Sequence, residues 1–588
     1  MLGKRSPQGK LFTVENRLRK KVGEESFYVF LSDHRHELFR DEDFAMLYCL
    51  DNGRESIPPS LLATALILQT FDRVPDQEAA DRAQFDQRWQ VALGLSDEEV
   101  PFVKSTLCLF RNQLILHKEA KLIFHKGIEY LRKQGFVKRH KIRLALDTTP
   151  IFGKGAVEDT FNMLAEGLRQ VLHVLAGLAL QKPEEFARLH DFGRYAQPSF
   201  KGTWSINWDN EKERQTVLDS LVADCGRILS IARSTLKDYP AESQQANQIL
   251  EAVELLSKLL AQDVRRTDSG KAEIIDGVAK DRIVSVHDPE MRHGHKNATQ
   301  RFDGYKASLS VETDSQVIAD IDVLPGNAHD NTNAPVLVAE SAKNLHAPVE
   351  GVLGDGAYGS VEARLDAHAQ GYALTAPMGG LPQNGRFTKD DFVIDLKNQT
   401  VTCPAGQICS TAYEQRSTTK RGTTFKNKCF MFSVAQCGSC PLRSGCVRPD
   451  ASRRTISVHE HEELLQQAKA YQRTDEYRTI YRQRVVAEHR IARLIRLGVR
   501  KARYFGSTKV LFQLAMAAAV ANLTLFVGSH ITGAPFVLSL LFMSIITAIG
   551  LTRITYRRFL AACAAETSSS TAITPQEGVV ARISSFSL

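Results

Sequence analysis

Acidic residues are what this sequence lacks toward its C-terminal end. Between Glu476 and Glu566 the only Asp or Glu is Glu488, inside YRQRVVAEHRIARLI (481–495). From Tyr477 to Arg503 nine Lys or Arg residues stand against that one acid, although the whole chain of 588 residues carries a formal charge of only +8. A positive stretch of this density points to a polyanionic partner; a solvated basic helix face is the plainer reading. The N-terminus, MLGKRSPQGKLFTVENRLRKK, is basic but has no apolar core of the signal-peptide kind, so a cytoplasmic start is expected. Cysteine is scarce outside one place. Of ten, six fall between Cys403 and Cys446, and without an export signal a local cluster favours metal ligation over a disulfide framework.

The chain is too long for one core, which suggests several compact units or a domain with large insertions. Residues 25 to about 135 read as helical. SIPPSLLATALILQTF starts a helix at Pro58 and Pro59, and Leu61, Leu62, Ala65 and Leu68 keep helical spacing; further helices are expected over 77–94 and 104–133. IRLALDTTP (142–150) is an apolar run of strand length that meets an acid and Thr-Thr-Pro, which predicts Asp147 at or just beyond a strand end. Residues 156–265 return to helical patterning, interrupted at 192–210 by Gly, Trp and Pro. Strands are expected at RIVSV (282–286), YKASLSVE (305–312) and VIADIDVL (317–324), then a helix over 333–346 and an apolar run that ends at Asp355. Such an order gives an α/β fold, a mixed sheet with helical cover whose first strand joins across a helical insertion. Residues 376–460 form a second, cysteine-bearing insertion, followed by a long helical pattern over 462–503.

Asp147, Asp355 and Glu488 are three acids in locally unexpected places. Converging carboxylates repel unless cations neutralise them, and oxygen-only ligands favour Mg²⁺ or Mn²⁺. Two such ions can activate a water or a 3′ hydroxyl and stabilise the leaving oxygen of a phosphodiester. Strand-terminal Asp residues are also common turn formers, and Arg484 with Glu488 is an ordinary i, i+4 pair. At about 100° per residue Tyr481, Arg484, Glu488, Ala492 and Ile495 share one helix face. Arg482, Arg490, Arg493, Arg496 and Arg500 form a stripe on the other, suited to tracking DNA phosphates. Arg292, His293 and Lys296, in an expected loop after a strand, are further DNA-contact candidates. Asp288 reads as a turn residue before Pro289, Asn327, His329 and Asp330 as caps of the next helix, and Trp204 and Trp208 as packing residues.

The spacing of Tyr481, Arg484 and Glu488 resembles the signature around the last acid of DDE transposases from bacterial insertion sequences. LALDTTPIFGKGAVEDT resembles the first-acid block of one subgroup, and DPEMRHGHK, FDGYK and GDGAYGS its middle and second-acid blocks. DNGRESIPPSLLATALILQTFD with FDQRWQVALGL resembles that subgroup's helical leader. The resemblance implies a ribonuclease H-like catalytic core split by insertions, and a helical N-terminal DNA-binding domain. It implies a catalytic triad of Asp147, Asp355 and Glu488 that holds two Mg²⁺ or Mn²⁺ ions. Cleavage and strand transfer would take place at terminal inverted repeats, by a homodimer on paired double-stranded ends and target DNA. Tyr481 and Arg484 would position the scissile phosphate. Where the family signature often has a basic residue seven positions after the Glu, this chain has Ile495, and Arg493 or Arg496 would supply that contact. The expected division is 1–135 for the N-terminal domain; 136–160, 276–375 and 462–528 for the core; 161–275 and 376–461 for insertions; and 529–588 for a tail.

A noncatalytic DNA- and zinc-binding descendant is the rival reading. Cys437 and Cys440 have knuckle spacing, and Cys403 with Cys409 or Cys446 would complete a structural zinc site, against free or partly buried thiols. Two apolar stretches close the sequence: VLFQLAMAAAVANLTLFVG reads as a core helix, whereas 535–551 has no match and leaves a membrane-associated tail open.

Overall fold

A central strand, β1 (Ile142–Phe152), organises the fold. The computed structural model describes residues 1–531 except 6–13, 50–52, 97–99, 138–139, 269, 278, 280, 297–298, 379–384 and 420–421; Met1–Leu525 is one compact unit. The remaining strands of the sheet are β2 (Arg292–His295), β3 (Arg301–Glu312), β4 (Ile318–Pro325), β5 (Val349–Leu353) and β6 (Ala373–Thr375). Their order is β4-β3-β1-β5-β6, with β2 on the same edge of β3 as β4. β4, β3 and β1 run antiparallel; β1, β5 and β6 run parallel. Leu144, Ala145 and Leu146 are fully buried, as a strand covered on both faces requires.

Two sequence expectations for this sheet are corrected. Asp147 lies within β1, opposite Leu309, and not at its end. Pairing with β3 continues to Phe152, while the parallel partner stops at Ala145, so Pro150 lies where β1 has no strand on its other side. RIVSV forms no strand, although Ile283, Val284 and Val286 are buried. The Gln262 side-chain amide takes its place in a ladder: it accepts from the Ile283 N–H at 2.9 Å and donates to the Ile283 carbonyl at 3.0 Å. Gly304 explains part of the FDGYK block. Its φ is +147°, and a Cβ there would stand 2.2 Å from the Ile151 carbonyl oxygen.

The helices of the first 133 residues include Phe27–Leu38, Pro59–Asp72, Asp76–Phe85, Gln87–Leu93, Lys104–Leu116 and Leu122–Lys133. Pro59 occupies the first turn of its helix, where its missing N–H costs nothing. Asp72 accepts from Trp89 Nε1 (2.7 Å), the Tyr28 hydroxyl (2.7 Å) and Arg82 (3.0 Å), tying four of these helices together. Lys121 pairs with buried Asp320 of β4, which fixes this region to the sheet. After β1, Thr160–Leu178, Glu211–Leu236 and Gln244–Asp263 pack round Leu168, Leu221, Ile228 and Leu256; Trp204 and Trp208 pack against this cluster, as expected of packing residues.

The first apolar stretch of the C-terminal region lies in the helix Ser507–Ile531, and most of it is buried. Buried Asn522 donates to the Ile318 carbonyl and accepts from its N–H, both at 2.9 Å, so its amide completes the edge of β4. This is a core contact. Asn522→Ala leaves two buried backbone groups unpaired, and urea titration is expected to show a loss of about 2–4 kcal/mol. The stretch 535–551 lies outside the described residues.

Candidate active site

The parallel register that sets Ala145 against Leu353 leads, two residues on in each strand, to Asp147 and Asp355. Asp355 follows β5 and caps the turn Gly356–Tyr358, its Oδ1 accepting from the Ala357 N–H at 2.9 Å. Glu488 comes from the helix Val485–Arg496, which packs on β1 and β3. The long helical pattern over 462–503 is three helices, Glu462–Gln472, Asp475–Arg482 and Val485–Arg496. Thr474 caps the second, and Arg484 stands in αR geometry at the start of the third.

Arg484 is the hub. It donates through Nη1 to Asp147 Oδ2 at 3.1 Å and through Nη2 to Glu488 Oε1, while its guanidinium lies 5.9 Å from the centroid of the Tyr481 ring. Burial pushes the Asp147 carboxyl up to about 6; Asp355 and Glu488 add to the rise, while the Thr148 N–H and Arg484 oppose it. The i, i+4 pair is therefore real, but it is part of a larger cluster that reaches the sheet.

Three residues join the site that the sequence had not assigned to it. Asp330 accepts from Thr148 Oγ1 and from Lys306 Nζ, each at 2.8 Å, and so braces β1 beside Asp147 instead of capping a helix. Lys306 is nearly buried, at 9% exposure. Tyr358 is buried, and its hydroxyl has no hydrogen-bond partner among the described residues. Burial, then Asp147, Asp330 and Asp355, hold its phenol well above the ordinary range. The DGAY spelling just after β5 and the HDN spelling in the turn after β4 are the signals for Tyr358 and Asp330 in the sequence.

The basic residues divide. Arg490 is corrected from the phosphate-tracking stripe: it shares the core face of its helix with Val486, Ala487 and Leu494, and burial, then Arg493, lowers its guanidinium to about 10. Arg493 is half-buried and donates to Thr524 Oγ1 at 3.2 Å, and Arg500 donates to the Pro150 carbonyl at 2.8 Å. Arg482, Arg496 and Lys296 are exposed. Arg292 and His293 lie in β2 and not in a loop; Arg292 donates to the Met291 carbonyl at 2.8 Å, and His293 pairs with Asp303. Asp288 makes the expected turn, accepting besides from the Tyr305 hydroxyl.

Residues 402–526 match the family described as Transposase DDE domain, and residues 16–113 match Transposase domain (DUF772). The two matches indicate an insertion-sequence DDE transposase. Glu488 lies within the first match, whereas Asp147 and Asp355 lie outside both. No curated protein and no solved structure matches the transposase. Family membership implies DNA as partner and a divalent metal as cofactor.

Among the described residues of this transposase, no three His, Cys, Asp or Glu side chains already stand in metal-holding geometry. Arg484 lies between Asp147 and Glu488. The donor set nevertheless suits a hard cation: the Asp355 and Glu488 carboxylates both raise the proton affinity of Asp147, so negative charge is gathered there. Because the Asp147 carboxyl sits higher in the folded chain (about 6) than in the unfolded one (about 4), the folded state binds the extra proton. Stability is thus lost as pH rises from about 4 to about 6, and that loss is complete above it. Asp147→Asn is expected to raise metal-free stability at pH 8 by about 1–3 kcal/mol and to leave it unchanged at pH 4, as read from thermal melts.

Proposed function

We propose that this transposase is catalytically competent: it nicks double-stranded DNA at its element's terminal inverted repeats and joins the freed 3′ end to target DNA. The observation that carries this is Asp147 and Glu488 held on one guanidinium, with Asp355 just beyond the end of the strand paired with that of Asp147, three acids far apart in sequence. The sheet order, three antiparallel strands followed by two parallel ones with an acid on the central strand, supports a ribonuclease H-like core.

Asp147, Asp355 and Glu488 would hold Mg²⁺ or Mn²⁺, two ions in the family's scheme, which would activate the attacking water or 3′ hydroxyl and stabilise the leaving oxygen. Arg484 has a rigid fork of donors, suited to the scissile phosphate once it leaves the carboxylates, and the Tyr481 ring supports it from one side. Asp330, held by Lys306 and Thr148, fixes the β1 backbone on which Asp147 is carried. Exposed Arg482, Arg496 and Lys296 would follow DNA phosphates, and the helices of residues 1–135 would bind the ends. Under this reading 136–160, 276–375 and 462–528 form the core, 161–275 and 376–461 its insertions, and the protein acts as a homodimer on the bacterial nucleoid.

The test is incubation of the purified protein with its element's end DNA and Mg²⁺ or Mn²⁺. Nicks at the transposon boundary are expected. End DNA that is bound and left uncut would instead favour the noncatalytic descendant.

A further inference from the structure

Six cysteines crowd residues 403–446, and the fold separates them. Cys409 donates to the Met431 carbonyl at 3.1 Å, and Cys429 to Gln415 Oε1 at 3.4 Å, so both thiols are engaged elsewhere. Cys403, Cys437, Cys440 and Cys446 line one void of about 20 Å³, room for a single water-sized body. Each arrives on a tight local turn. Cys403 opens a hairpin in which its carbonyl accepts from the Gly406 N–H at 2.8 Å, with Gly406 at φ +76°. Cys437 and Cys440 end a short helix and its turn, and Cys446 closes the next helical turn, Arg443–Cys446.

We propose that Cys403, Cys437, Cys440 and Cys446 bind a structural zinc ion that closes this insertion, and that Cys409 is not a ligand. Four thiolates on Zn²⁺ carry two excess negative charges, which a half-buried site must offset. Two arginines line the same void. Arg443 donates to the Cys437 carbonyl (3.2 Å) and Arg454 to the Cys446 carbonyl (3.1 Å), so both guanidinium groups are held beside the ligand loops. Arg454 Nε is buried without a partner among the described residues, a donor that a thiolate would satisfy. The Arg454 backbone N–H already points at Cys437 Sγ at 3.5 Å, the kind of outer contact that tunes a metal-bound sulfur. The four thiols have not yet met at ligating distance, so binding requires them to close on the void. Zinc binding supplies that free energy, as it does in small domains whose folding is coupled to the metal.

The test uses the full chain, purified without chelators from cells grown with zinc. Elemental analysis is expected to give about one zinc per chain. Cys440→Ser and Cys403→Ser are expected to fall to background, whereas Cys409→Ser keeps its zinc. Because a ligand variant can simply misfold, Co²⁺ exchange into the wild-type chain gives a second reading: intense visible bands of a tetrahedral, thiolate-rich site are expected. Absence of zinc in the wild type both as isolated and after Zn²⁺ addition, zinc lost with Cys409→Ser but kept with Cys440→Ser, or a mass showing disulfides among the four thiols would each overturn the proposal. None of these outcomes depends on nicking activity, so the site stands or falls separately from the proposed function.

Discussion

Glu488→Gln is expected to slow nicking of element ends by about 10³-fold or more while leaving end binding and thermal stability nearly unchanged. The substitution removes one charge and keeps the shape. Glu488 is 53% exposed at its side chain, so little packing is at stake, and surface changes of this kind usually alter stability by less than about 0.5 kcal/mol. Its side-chain partner among the described residues is Arg484, from which a glutamine oxygen can still accept. What the amide cannot do is contribute negative charge to the cluster with Asp147 and Asp355. Gel-shift affinity for end DNA, melting temperature and single-turnover nicking separate these effects. Nicking that survives at the wild-type rate would remove Glu488 from the catalytic triad.

The second large effect is expected at Arg484. This guanidinium is 18% exposed and compensates two acids at once, so Arg484→Met leaves Asp147, Asp355 and Glu488 facing one another with no bound cation. Metal-free stability at pH 8 is expected to drop by about 2–4 kcal/mol, since breaking a largely buried pair costs more than the pair contributes. Added Mg²⁺ is then expected to raise the melting temperature of the variant more than that of the wild type, because ion binding no longer has to displace a resident positive charge. Nicking is expected to fall about 100-fold or more, through loss of the phosphate contact. An equal Mg²⁺-induced shift in both proteins would show that Arg484 does not compete with the ion.

Much of this is legible in the sequence. The apolar run that became β1, the proline-started helix Pro59–Asp72 and the isolation of Glu488 are local signals, and local periodicity decides them. Failures occurred where a distant partner decides the outcome. RIVSV has the composition of a strand, but the amide of Gln262 takes the backbone contacts at Ile283. Arg490 looked like one more phosphate contact in a basic run. Its position four residues from both Val486 and Leu494, which face the sheet, buries it. Asp330 sits where a helix cap belongs, and only the return of β3 alongside β1 brings Lys306 and Thr148 to it. A helix-wheel argument can give the faces of a helix, but not which face the rest of the chain will cover.

The central strand has a consequence for synthesis. Phe152 is paired with Gly304 and linked to Arg500, so β1 leaves the ribosome long before any of its neighbours exists. The first helices can collapse on one another early, but the acids cannot meet until the Glu488 helix has emerged. Under the proposed function a nascent chain would be unable to cut DNA during most of its translation, and a product that stops before Val485 is expected to leave DNA uncut. Such long-range closure also makes folding slow. On that reading, nuclease competence would come only late in synthesis.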